Sequence, residues 1–210
     1  MRKIPIPVLN RLPKYLRTLR NLADADESFV SSSTLGAGAG VKKSQVRKDL
    51  ENVNCSGRPG KGYYIPELIT ELEELLGLNN VTEAVVVGAG RLGRALSQYP
   101  GFSKYGLEIV ALLDNDPQKI GTNVGDVRIV DVDKLMNLVR RMAITLAVVT
   151  VPAESAQKVA DDLVAGGVRA IWNFAPTFLE VPPHVHVQDE DLAVGLANLS
   201  HHVAQTMKKE

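Results

Sequence analysis

Apolar residues recur at spacings of three and four through Leu12, Tyr15, Leu16, Leu19 and Leu22, which predicts an amphipathic helix over residues 9–25. Pro13 is tolerated only near the first turn of such a helix, so an irregular start is expected. Arg11, Lys14, Arg17 and Arg20 lie off the apolar stripe. Ser31, Ser32 and Ser33 are N-cap candidates for a short helix through Leu35, ending at the glycines before Val41. Gly36, Gly38 and Gly40 make that segment a poor helix, each glycine costing about 1 kcal/mol against alanine. Ser44 is expected to cap a helix over residues 45–52, with Val46, Leu50 and Val53 inward and Gln45, Arg47, Lys48 and Asn52 more outward. Leu68, Ile69, Leu72, Leu75 and Leu76 give the next helix its apolar face; Pro66 opens it and Gly77 closes it. Residues 78–81 then read as a boundary.

Beyond that boundary the period changes. Val85, Val86 and Val87 form a buried-strand run, and Leu92, Ala95 and Leu96 mark a helix over 91–99. A strand at 108–113 ending on Asp114, a short strand at 127–130 and a helix at 132–142 follow. Residues 144–150 are a near-continuous apolar strand suited to a sheet covered on both faces. A helix at 153–165 stops at Gly166-Gly167, and 169–174 is another strand. This alternation predicts an α/β, Rossmann-type doubly wound domain behind a helical head. The tail holds a short strand at 185–187 and a helix capped by Asp189 with Leu192, Leu196, Leu199, Val203 and Met207 on one face. The expected division is a head at 1–79, a nucleotide-binding body at 80–187 and a terminal helix at 188–210, which folds back or packs on a partner.

Composition alters this picture through charge. Lysine and arginine balance aspartate and glutamate at 24 each. Residues 1–62 nevertheless hold twelve basic and five acidic side chains, a surplus of seven positive charges, and the remainder holds twelve and nineteen, a deficit of seven. A basic head on an acidic body suggests a polyanionic partner, against the plainer reading of ordinary charged helix surfaces. The single cysteine, Cys55, excludes an intrachain disulfide and a cysteine-based zinc cluster, and fits a reducing cytoplasmic setting. The longest apolar run, 143–153, is too short to span a bilayer and contains Pro152, so no membrane association is expected.

The candidate chemistry centres on Gly88-Ala89-Gly90-Arg91-Leu92-Gly93, a Gly-x-Gly-x-x-Gly turn between strand and helix. Gly88 permits the tight turn, Gly90 lets a pyrophosphate approach, and Gly93 allows close helix–strand packing. Asp114 lies 21 residues beyond Gly93, where a carboxylate can accept hydrogen bonds from adenosine ribose hydroxyls and repel a 2′-phosphate. With Asp116 nearby and no adjoining arginine, NADH or NAD+ is favoured over the phosphorylated cofactor. Thr150, Val151, Pro152, Asn173 and Phe174 emerge at strand carboxyl ends, where a doubly wound sheet binds its ligand. In the head, two helices joined by a short turn match a helix-turn-helix that reads double-stranded DNA. Ser44, Gln45, Arg47 and Lys48 are its groove-facing candidates. The glycine-rich stretch 55–64 carries Arg58 and Lys61 and reads as a phosphate-touching wing or as an ordinary connection.

His184 and His186 share one strand face, but with no nearby cysteine and carboxylates only in the next turn a surface or interface role outweighs a metal site, and no metal is expected. No Gly-x-Ser-x-Gly elbow occurs. Between Asp114 and Pro176 no histidine and no isolated lysine or tyrosine stands out as the acid or base a dehydrogenase needs. The nucleotide is therefore expected as a signal and not a reactant, with no catalytic residues. The rival is a small NAD-dependent oxidoreductase with a basic N-terminal extension.

The chain resembles the Rex family of redox-sensing transcriptional repressors from about residue 5 to 206. The matching pieces are Arg11-Leu12-Pro13 with Tyr15-Leu16-Arg17, Ser31-Ser32 through Leu35, Gln45 to Leu50, and Gly60 with Gly62-Tyr63. They continue with Val87 to Gly90, Leu92 to Leu96, Tyr99 to Phe102, Thr150 to Ala153 and Asn173 to Pro176. The resemblance implies a homodimer that binds a palindromic operator when NADH is scarce and releases it when NADH rises. It also implies a domain-swapped C-terminal helix, Tyr99 near the nicotinamide, and a pairing of Arg17 with Asp191 across the dimer. Where relatives commonly carry Ser-Tyr-Phe-Gly after the recognition helix, this chain has Glu51-Asn52-Val53-Asn54, followed by Cys55-Ser56.

Overall fold

The computed structural model describes residues 4–53 and 55–207, with the side chains of 192, 195, 197, 198, 201, 202, 206 and 207 outside that description. The chain divides into two compact units, Met1–Asn80 and Val81–Glu210.

The first unit contains α1 (Ile6–Leu9), α2 (Leu12–Ala23), β1 (Phe29–Val30), α3 (Ser32–Ala39), α4 (Lys43–Leu50), β2 (Tyr63–Tyr64) and α5 (Ile65–Leu76). The stripe expected over 9–25 is two helices, because Pro13 occupies the first turn of α2 and the chain breaks before it at Asn10–Arg11. Leu12, Tyr15, Leu16 and Leu19 are fully buried, and they meet Leu35, Val46, Leu50, Ile65, Leu68 and Leu72 in one core. Ser31 caps α3, its Oγ accepting from the Thr34 N–H at 3.1 Å. Ser44 is not a cap: Lys42 holds that position of α4 without a side-chain bond, and Ser44 lies inside the first turn, exposed.

The α3 glycines, poor helix formers by propensity, have a packing reason. A Cβ on Gly38 would collide with the Thr18 hydroxyl of α2, and one on Gly36 would come within 2.5 Å of the Val41 carbonyl. The helix gives up propensity to bring α2 and the turn into α4 against its backbone. After α4 the segment that departs from the family pattern still packs inward, since Val53 and Cys55 are 7% and 5% exposed; Asn54 lies outside the described residues. Strands β1 and β2 pair antiparallel, Phe29 opposite Tyr64 and Val30 opposite Tyr63. This small sheet was not foreseen, because two-residue strands leave no periodicity to read.

The second unit is a seven-stranded sheet in the order β5-β6-β4-β3-β7-β8-β9. Its strands are β3 (Thr82–Val87), β4 (Leu107–Asp114), β5 (Asn123–Val124), β6 (Val127–Asp131), β7 (Leu146–Val149), β8 (Ala170–Asn173) and β9 (His186–Asp189). Every pair is parallel except β5 with β6, the edge hairpin. Helices α6 (Arg91–Ser97), α7 (Leu135–Met142) and α8 (Ala153–Gly166) connect them. Alternation along β3 divides the core: Val85 and Val87 join Leu135, Val139, Ala160 and Leu163 on one face, while Ala84 and Val86 join Leu112, Ile129, Leu96 and Phe102 on the other. This is the doubly wound arrangement the alternation predicts.

The last helix, α9 (Leu192–Met207), is capped by Asp191, whose Oδ1 accepts from the Ala193 N–H at 2.8 Å. Asp189, the expected cap, is the last residue of β9. Val194, Leu196, Leu199 and Val203 of α9 are all more than half exposed. Leu192 and Met207, assigned to the same apolar face, have side chains outside the described residues, as do His201 and His202.

Candidate nucleotide site and DNA-reading surface

The sheet changes direction between β3 and β7, where the chain leaves the two strands to opposite sides and opens a crevice at their carboxyl ends. Gly88 sits there at φ +104°, and a Cβ on it would press on the Thr150 carbonyl at 2.8 Å. A Cβ on Gly93 would overlap the Gly88 carbonyl. These two glycines are therefore required by the chain's own packing. Gly90 is different: a Cβ there would meet no protein atom, so its requirement comes from whatever approaches the turn. Thr150 closes the other side, its Oγ1 donating to the carbonyls of Gly88 at 2.9 Å and Val87 at 3.1 Å.

Asp114 reaches this turn directly. Its Oδ2 accepts from the Ala89 N–H at 2.8 Å and its Oδ1 from the Asp116 N–H at 2.9 Å. Lys119 bonds both oxygens at 3.3 and 3.2 Å and lies 3.5 Å from Asp116. Burial disfavours the ionised Asp114, but the two backbone donors and Lys119 outweigh it and hold the carboxyl below its ordinary pKa. The absence of a neighbouring arginine is thus not the absence of a neighbouring cation. Two carboxylates against one ammonium still leave the pocket end with a net negative charge.

The crevice has a volume of about 960 Å³ and is lined by Gly88, Gly90, Asp114, Thr150, Val151, Pro152 and Phe174 among others. Lys119 and Lys158 also line it, as do Asp133, Glu154 and Asp162. None of those five was singled out by sequence reasoning. Arg91 is exposed and Leu92 half-buried at the start of α6. Asn173 is 1% exposed and faces inward: its amide donates to the Thr177 carbonyl and to Asp189, each at 2.8 Å, and its oxygen accepts from the Ala175 N–H. It fixes the loop that carries Phe174. Tyr99 is 58% exposed, lies outside the crevice lining and packs edge-on against Phe102 at 5.1 Å. From Phe102 the rings continue to Trp172 and on to Phe174 at the crevice wall, 4.9 Å from Trp172. The Trp172 indole N–H is buried and has no hydrogen-bond partner among the described residues.

In the first unit, α4 and the 58–62 turn face each other across a groove of about 870 Å³ lined by Lys43, Arg47, Arg58, Lys61 and the serines 31–33. The turn is a tight hairpin, with Arg58 N–H donating to the Gly62 carbonyl at 2.7 Å and Gly62 N–H returning the bond at 3.0 Å. Gly60 and Gly62 take positive φ, and a side chain on Gly62 would strike the Val30 carbonyl. Arg58 lies over the rings of Phe29 and Tyr64 at 5.5 and 5.6 Å, and Lys61 over Phe29 at 5.8 Å. Aromatic faces thus hold both cations on the hairpin. Arg47, Lys48 and Ser44 are exposed on α4, whereas Gln45 is half-buried.

A carboxylate lies beneath that helix. Asp49, 1% exposed, accepts from Arg11 at 2.6 and 2.8 Å, from the Tyr15 hydroxyl at 2.7 Å and from the Gln45 amide at 2.8 Å. Burial raises its pKa, but these donors outweigh burial and hold the carboxyl below the usual range; burial and Asp49 together push the Tyr15 phenol up. Sequence reasoning missed this cluster, although its signal was present: Asp49 falls between Val46 and Leu50 on the buried face.

Residues 79–177 match the family described as CoA binding domain, and residues 3–51 match the family described as putative DNA-binding protein N-terminus. Redox-sensing transcriptional repressor Rex of Clostridium beijerinckii is 41% identical, covering 94% of each chain. The protein of the same name from Carboxydothermus hydrogenoformans is 43% identical over 96% of this chain and 97% of its own. The chain belongs to the Rex family of redox-sensing transcriptional repressors. Among solved structures, the Rex-family repressor RSP in complex with β-NAD+ and operator DNA superposes with a TM-score of 0.91 at 34% identity, covering 100% of this chain and 97% of that one. RSP in complex with β-NADH gives 0.87 at 34% identity. These Rex relatives are named as redox-sensing transcriptional repressors, regulators and not enzymes. Among the described residues no helix is long and apolar enough to cross a membrane, and no cluster of histidine, cysteine and carboxylate side chains could hold a metal.

Proposed function

We propose that this chain is a cytoplasmic NAD(H)-responsive repressor that binds a palindromic operator as a homodimer and leaves it when NADH binds. The observation that carries the reading is one chain holding both a glycine turn with open space over Gly90 and a separate groove lined by basic side chains. The divisions 1–79, 80–187 and 188–210 then correspond to DNA binding, nucleotide sensing and dimerisation.

The residues present fit a dinucleotide. The first N–H groups of α6, Gly90 to Gly93, lack intrahelical acceptors and can face a pyrophosphate. Asp114 has lone pairs left for ribose hydroxyls, and the surrounding carboxylates disfavour a further phosphate. Ala89, Arg91 and Leu92 shape the turn, Thr150, Val151, Pro152 and Phe174 wall the nicotinamide side, and Asn173 supports Phe174. Tyr99, exposed and joined through Phe102 and Trp172 to Phe174 on the crevice wall, serves the nicotinamide end. Ser44, Gln45, Arg47 and Lys48 enter the major groove while Arg58 and Lys61 hold phosphates. Arg17, exposed on α2 with no hydrogen-bond or ion-pair partner among the described residues, pairs with Asp191 of the other protomer and links sensor to head.

The two ligands act through linkage: NADH and operator must weaken each other by the same factor. Titrating NADH into a protein–operator complex tests this. Release of the duplex is expected, and full retention at saturating NADH would sink the reading. The operator itself follows from selection of a random duplex library by the protein with and without NADH.

A further inference from the structure

Gln45 lies in the first turns of α4, where a helix-turn-helix reads bases, yet it is half-buried and its amide nitrogen is tied to Asp49 Oδ1 at 2.8 Å. The tie has only one chemical sense. An ionised carboxylate accepts and never donates, so the Gln45 nitrogen, and not its oxygen, must face Asp49. Three donors, two from Arg11 at the N-cap of α2 and one from Tyr15 within it, keep that carboxylate ionised and immobile on the inner face of α4. A free glutamine can turn its amide over and present either end to a base. Here Asp49 takes one of the two amide hydrogens, and the carbonyl oxygen is left with the remaining N–H as an acceptor–donor edge. That edge complements adenine, whose N6 amino group donates and whose N7 accepts in the major groove. Guanine presents two acceptors at the same place and cannot satisfy the carbonyl.

We propose that Asp49 is a positioning residue for operator recognition, fixing the Gln45 carboxamide so that it selects adenine at one position of each half-site. Arg11 and Tyr15 act through Asp49 and touch no DNA. The inference rests on the repressor reading above, and the same selection experiment separates the two.

Duplex selection from a random library, followed by affinities for the enriched duplex and for its adenine-to-guanine variant, is run on the full chain and on four variants: Gln45→Ala, Asp49→Asn, the two combined, and Tyr15→Phe. The wild type should prefer adenine by about tenfold or more, within the range of one good base contact. Gln45→Ala should abolish that preference. Asp49→Asn, which can turn its own amide and no longer dictates Gln45, should lower it to near unity while binding to the guanine duplex persists. In the double variant the preference should fall no further than in Gln45→Ala, as expected when one residue acts through the other. Tyr15→Phe removes one donor but leaves the Gln45 tie; it should keep the adenine preference even where it lowers the melting temperature. An Asp49→Asn protein that binds both duplexes more weakly by one common factor would overturn the inference and reduce Asp49 to a structural role. A wild type that enriches no sequence would instead overturn the repressor reading.

Discussion

Asp114 holds the glycine turn through the Ala89 N–H and also lines the crevice, so truncation removes a turn contact together with the ribose acceptor proposed above. Asp114→Ala is expected to weaken NADH binding more than Asp114→Asn, because asparagine retains an acceptor for Ala89. Both should relax selection against NADPH. Titrations with each cofactor check this, and equal affinities in the two variants would deny the turn-holding role. The acid limb of stability follows from the same chemistry at Asp49 and Asp114, whose folded pKa values lie below the ordinary 3.8. A depressed carboxylate contributes stability that is complete above the unfolded value and is lost as pH falls through the folded one. Unfolding midpoints should therefore drop below about pH 4, and Asp49→Asn should flatten that drop while costing about 1–3 kcal/mol at neutral pH, since Arg11 keeps a solvent-facing side and one acceptor. The Gly88–Gly93 motif and the position of Asp114 were legible in the sequence because each has a fixed offset from a strand. Lys119 was not, since only the loop after β4 brings its ammonium back to Asp114.

Among the elements, α3 shows most clearly what pattern alone leaves out. Propensity marks its glycines as weaknesses, yet Gly38 is where α2 and α3 touch through Thr18. Gly38→Ala should destabilise the head by about 1–3 kcal/mol despite the better helix former, the scale of an overpacked contact. Thr18→Ala in the same chain should recover most of the loss. Denaturant melts of the single and double variants decide it, and an additive pair would remove the contact as the cause. Long elements were readable wherever apolar periodicity persisted for several turns or strands, as in α2, α5, β3 and β7. The β1–β2 pair and the β5 edge were unreadable because two residues cannot display a period, and tertiary pairing alone defines them. The caps misled for a related reason: Ser44 and Asp189 are good capping types, but neighbouring residues took the positions.

For the whole molecule, the exposed apolar residues of α9 are the feature a single chain leaves unsatisfied. Leu196 and Leu199 are each 65% exposed, which suits a helix completed by a second copy. Leu199→Glu should shift the protein from dimer to monomer in light scattering and cut operator affinity at least tenfold, since two half-sites would no longer be held together. A dimer that survives the charge would place the interface elsewhere. Trp172 gives the molecule a further property. It is the chain's one tryptophan, its indole nitrogen is buried, and it stands one ring away from the crevice wall. Reduced nicotinamide absorbs light at the wavelengths tryptophan emits, whereas the oxidised form does not. Ultraviolet excitation of the unlabelled protein should accordingly give emission that dims with NADH and stays bright with NAD+, an optical gauge of redox state built into the fold.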